Sequence, residues 1–160
     1  MSPIYFLIAF AAGVAISVQA AINSQLAGDF GGNSIAAAFF SFASGTVVLG
    51  LISMAEGGLP GALAALPSEP WWHLIGGALG AGALFSTVLL APRIGLANLL
   101  ALVIAGQLLS SLGIDHLGLF NVTPRPATAI KMIGALIMLG GLVLTLFGDR
   151  LAALLLTRSA

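Results

Sequence analysis

Only five basic and five acidic side chains interrupt 160 residues, and between them run long stretches of apolar residues. A soluble domain covers itself with roughly 25% charged residues, whereas here 6% are charged and 59% are hydrophobic. Such a chain belongs in a bilayer, where backbone polar groups must be satisfied within the segment itself, which favours helices. The expected class is an all-α integral membrane protein. A helix needs about 20 residues to cross the roughly 30 Å hydrocarbon layer, so the length allows at most about six crossings and no soluble domain beside them.

The sequence divides into five crossings within one domain, 1–160. The first spans 4–22, apolar but for Ser17 and Gln19, and runs into the polar stretch from Asn23 to Asn33, a loop or a frayed helix end followed by one. The second spans 34–55, with Ser34 as its expected N-cap and Glu56-Gly57-Gly58 as its stop. The stretch GGLPGALAALPSEP forbids a long helix, leaving room for one turn at the membrane surface over Ala62 to Leu66. A third crossing spans 71–91, from the interfacial pair Trp71-Trp72 to Pro92-Arg93. The fourth spans 96–113 and is closed by Asp115-His116. The fifth spans 128–147 and is closed by Asp149-Arg150, with Lys131 one turn inside its start and able to snorkel. The tail LAALLLTRSA is too short to cross again.

Several functions are disfavoured at once. Net charge is zero with no basic cluster, so nucleic acid is not an expected partner. Without cysteine there is no disulfide, iron–sulfur cluster or thiol chemistry, and His73 and His116 lie too far apart for a local metal motif. No cofactor, metal site or enzyme constellation is expected. MSPIY carries no basic side chain, so the first apolar run is expected to be a retained helix rather than a signal peptide.

The charges also bear on orientation. Five crossings place Arg93, Arg150 and Arg158 on one side, against Arg125 and, near the boundary, Lys131 on the other. Three against two is a weak positive-inside bias, so the chain is expected to insert both ways and to pair as an antiparallel homodimer. That symmetry resembles the inverted repeats of secondary transporters, whose substrate sites lie at mid-membrane.

Uncharged polar residues are the candidate site. Gln19 and Asn23 are four apart and share a helix face, as do Gln107, Ser111 and Asp115 on the fourth crossing. Hydrocarbon satisfies none of these groups, so both faces are expected to look inward, either lining a small cavity or bonding across helices at about 1 kcal/mol each. Asp115 and His116 are candidates for proton or ion coupling, or else an interfacial cap; no acidic residue sits at mid-membrane. Small residues at four-residue spacing (Gly76 and Gly80, Ala78 and Gly82, Ser41 and Gly45) mark helix contacts. Gly134, Gly141 and Gly148 recur every seven residues, a seam for packing within one chain or between two.

Three stretches together, QAAINSQL (Gln19 to Leu26), PWWHLIGGALGA (Pro70 to Ala81) with APRIG (Ala91 to Gly95), and AGQLLSSLGIDHLGLF (Ala105 to Phe120), resemble the YdcZ-type family. That family is a five-helix branch of the drug/metabolite transporter superfamily, found in the bacterial inner membrane and related to the small multidrug resistance exporters. The resemblance implies a dual-topology homodimer moving a small molecule by alternating access, and it places Gln19, Asn23, Gln107, Asp115 and His116 at patterned polar positions. The relatives' membrane-embedded glutamate has no counterpart in the first helix here, so proton coupling and cationic-drug specificity do not carry over. The expected function is export of a small neutral or weakly charged organic molecule, with Gln19, Asn23, Gln107 and Ser111 binding it and lipid as the surrounding partner. The alternatives are a passive small-solute channel and a non-transporting scaffold or accessory subunit.

Overall fold

The computed structural model describes residues 3–158, the side chains of 151 and 154–158 excepted. It is helical throughout, with no strand among the described residues, and five helices are long and apolar enough to cross a membrane. The chain falls into two compact units, residues 1–96 and 97–160.

In the first unit, α1 (Pro3–Asp29), α2 (Ser34–Ala55) and α4 (Ile75–Ile94) pack pairwise against one another. A short helix α3 (Leu59–Ala65) and two single 3-10 turns, Leu66–Ser68 and Trp71–Leu74, join α2 to α4. The contact is built from small side chains. Ala27, Ala37, Ala38, Leu84 and Val88 form the buried cluster, with Leu26 and Phe85 against it. Lipid is as apolar as these residues, so close approach and dispersion hold the helices together rather than escape from water. The Phe42 ring lies against α4 at Gly80, where an added Cβ would sit in ordinary van der Waals contact with its Cζ at 3.5 Å. Few residues of any span are buried, as befits helices that face hydrocarbon over most of their surface.

Helix ends depart from the sequence reading, and each departure has a local cause. α1 does not stop at Ile22. It continues to Asp29 because Asn23, Ser24 and Gln25 are poor but acceptable helix residues. What ends it is Gly31 at φ 66°, whose N–H bonds Gly28 O (3.0 Å) while the Gly32 N–H bonds Ala27 O (2.8 Å). This is a Schellman closure, and α2 ends the same way at Gly57 and Gly58. Asn33, not Ser34, caps α2: its side-chain oxygen accepts the Ala36 N–H at 3.0 Å, and Ser34 is the first helical residue, buried. Pro92 lies inside α4, since in the last turn it removes one bond only, and the helix ends at Gly95, φ 82°. The third crossing thus runs to Ile94 rather than 91. Its first turn, Trp71–Leu74, is 3-10.

In the second unit, α5 (Leu96–Leu117) outruns its expected end at 113 by a turn, because Asp115 and His116 lie within its last turn. Gly118, left-handed at φ 63°, closes it. A turn at Leu119–Asn121, with Phe120 and Asn121 left-handed at φ 57° and 60°, then leads to α6 (Ala129–Arg158). Thr128 sits at the start of α6, its hydroxyl oxygen accepting the Lys131 N–H at 3.4 Å. Asp149-Arg150 does not stop this helix; an exposed pair of opposite charges leaves the backbone ladder intact. Ser2 and Ser159 lie outside the described residues.

Candidate functional site

Continuation of α1 through Asn23 creates the site. With Asn23 helical, Gln19 and Asn23 fall on one stripe together with Ala11, Ala15, Ile22 and Leu26, at the three- and four-residue steps of a helix face. The tight turn at 30–33 lays α2 antiparallel beside α1 and sets Phe40, Ser41, Ser44, Gly45, Val48 and Leu49 opposite that stripe. Between the two stripes runs an open groove of about 830 Å³, within the usual range for small-molecule sites of roughly 300–1,000 Å³. Phe30 in the turn packs edge-on against Phe40 at 5.7 Å, beside the groove wall.

The groove is polar in one band. Gln19 is exposed, whereas Asn23 is 3% exposed. The Asn23 Nδ2 is sealed from solvent and has no hydrogen-bond partner. Such an orphan donor costs about 1–3 kcal/mol and calls for a reason. Across from it, the Ser44 hydroxyl donates to Ser41 O at 2.8 Å, leaving the Ser44 oxygen free to accept. No ionisable residue lines the groove. The four-residue spacing put Gln19 and Asn23 on one face, and both line this groove. Sequence reasoning read Ser41 and Gly45 as a packing pair and passed over Ser44; the i, i+3, i+4 set Ser41, Ser44 and Gly45 was the available signal.

The other expected residues lie in the second unit. Gln107 and Ser111 are exposed on α5, the Ser111 hydroxyl donating to Leu108 O at 3.0 Å. Neither is among the residues lining the hollow between α5 and α6, where Ala101, Ile104 and Ala105 face Met138, Gly141 and Thr145. Gly141, from the seven-residue glycine series, therefore faces α5 of its own chain. Asp115 and His116 hold the returning strand of chain. The Asp115 carbonyl accepts the Arg125 N–H at 2.7 Å, and His116 Nδ1 accepts the Ala127 N–H at 3.2 Å. His116 thereby ties the connection 118–128 to the end of α5. His73, by contrast, meets Glu69 at 2.8 Å and the edge of Trp72 at 4.0 Å between ring centres, all on an exposed surface. Among the described residues no group of three or more His, Asp or Glu side chains could hold a metal ion.

No curated protein and no solved structure matches the chain. One family model does, described as "Putative inner membrane exporter, YdcZ", over residues 4–144. That match takes in all of α1 to α5 but the first residue of α1, and more than half of α6. The five apolar helices and a match over most of their length make this chain a multi-pass member of the YdcZ inner-membrane exporter family.

Proposed function

We propose that the chain exports a small neutral or weakly charged organic molecule from the bacterial cytoplasm by alternating access, as an antiparallel homodimer inserted in both orientations. The α1–α2 groove carries this reading. It is large enough for a metabolite, and it sets amide and hydroxyl groups at span depth, where a purely structural helix pair has no use for an unpaired donor. Gln19 and Asn23 bind the substrate in this groove; Gln107 and Ser111, exposed on α5, are proposed as binding residues on their chemistry alone. The near balance of basic residues between the two sides supports dual insertion. Any proton coupling is assigned to Asp115 and His116, the pair whose backbone carbonyl and Nδ1 hold the returning connection through the Arg125 and Ala127 N–H groups.

Reconstituted vesicles test the carrier. Saturable counterflow of a metabolite supports it; flux that never saturates indicates a channel, and no flux across a broad metabolite panel indicates a scaffold. Orientation is read separately from single cysteines at Ser2 and Ser159, which the cysteine-free sequence makes unambiguous. Labelling of each position from one side only refutes the antiparallel pair.

A further inference from the structure

The chemistry along the groove is unevenly distributed, and the unevenness defines a ligand. Antiparallel pairing about the 30–33 turn sets Gln19 and Asn23 level with Ser41 and Ser44, in the half of the groove nearer the turn. Beyond Gln19 the walls are apolar: Ala11, Val14 and Ala15 on α1 face Val48 and Leu49 on α2. Eight residues of α1 separate Gln19 from Ala11, about 12 Å at the helical rise. A molecule lying there with its tail on the apolar walls brings its head to Asn23.

Charge is excluded by the same walls. With no ionisable lining residue, a cation or anion at this depth leaves water without a counter-charge, which costs several kcal/mol. An uncharged head loses little, provided it hydrogen-bonds. Asn23 Nδ2 requires an acceptor, and the Ser44 oxygen, its own proton already donated to Ser41 O, accepts a donor. Hydroxyl and amide heads offer both, and so pair with the Asn23 amide in either orientation of its oxygen and nitrogen. Nδ2 is reached by rotation of the Asn23 side chain or by a small parting of α1 from α2.

We infer that the α1–α2 groove binds uncharged amphipathic molecules, an amide or hydroxyl head hydrogen-bonded to Asn23 and an apolar chain laid toward Ala11 and Val48. This deepens the exporter reading and rests on it only for the groove's role in transport. The test uses the full chain in lipid nanodiscs, with empty nanodiscs subtracted for partitioning. Radiolabelled N-methyldecanamide is the probe, competed by unlabelled N-methyldecanamide, decyltrimethylammonium, decyl sulfate and decane. The expected result is saturable binding, with both ions and decane competing at least about tenfold more weakly than the amide, the effect of one lost hydrogen bond to a buried group. Asn23→Ala weakens binding by about tenfold. Stronger competition by the cation or anion than by the amide overturns the inference without reference to any variant, and so does undiminished binding to Asn23→Ala. Saturable amide binding without counterflow of that amide or of any metabolite in the panel leaves the inference standing and removes the exporter reading. Counterflow of a metabolite with no amide binding does the reverse.

Discussion

Asn23→Ala separates a functional amide from a structural one because the two roles predict opposite signs of stability change. If Asn23 bonds across helices, its loss costs about 1 kcal/mol. In the structure, however, Nδ2 is sealed and unpartnered, and relieving a buried orphan donor returns about 1–3 kcal/mol. Alanine also improves helix propensity by about 0.6 kcal/mol at an interior position of α1. Against this stands the dispersion lost when the side chain shortens beside the equally buried Ala20 and Ala27, of the order of 1 kcal/mol. The expected net is a gain of about 1–2 kcal/mol, measured as a later unfolding midpoint when sodium dodecyl sulfate is titrated into bicelles holding the protein. Counterflow should fall at least tenfold in the same variant, with dimer formation intact. A loss of 1 kcal/mol or more for Asn23→Ala refutes the reasoning, since it means the amide is bonded in the protein as it exists in a bilayer.

Three further outcomes follow from the second unit and the surface connection. Gly118→Ala places a Cβ 2.7 Å from Pro124 Cγ and 3.3 Å from Val122 O, at φ 63°; a left-handed alanine alone costs about 1–2 kcal/mol, so an earlier unfolding midpoint by at least that much is expected. His116→Leu removes the acceptor of the Ala127 N–H, and hydrogen exchange at Ala127 should quicken about fivefold, the equivalent of one net hydrogen bond of about 1 kcal/mol. Glu69→Gln breaks the contact with His73, but both side chains are close to half exposed, so circular-dichroism melting should show a change under about 0.5 kcal/mol.

The existence of five spans was legible because every break between apolar runs contains a proline, a glycine or a charge. Their ends were less so, for a physical reason. A polar residue such as Asn23 or Gln25 does not stop a helix; a backbone forced to positive φ does, as at Gly31, Gly57, Gly95 and Gly118. Pro92 and the pair Asp149-Arg150 resemble stops in sequence, yet the ladder absorbs one missing donor or two exposed charges. The site was half legible for the same kind of reason. The four-residue step joins Gln19 to Asn23 within one helix, whereas Ser44 enters only through the antiparallel register of α1 and α2, which the length of the 29–33 connection sets. Burial of Asn23 was not legible at all, because it depends on neighbouring backbones and not on Asn23 itself.

The remaining polar groups bear on the proposed antiparallel pair. Gln107 lies midway along α5 and Gln19 well inside α1, and both are exposed on the isolated chain. An amide facing lipid at that depth forgoes bonds to water that hydrocarbon cannot replace, and two such amides amount to several kcal/mol of unmet demand. A second copy removes that demand if it covers those faces, and substrate removes part of it whenever the faces line a path. An antiparallel pair does both with one set of residues. Exchanging the roles of two identical subunits converts an inward-facing arrangement into an outward-facing one of equal free energy, so neither state needs to be stabilised by charge. The proposed carrier needs no ionised group at mid-membrane, and a substrate that meets only amides and hydroxyls there is held best when it carries no charge of its own.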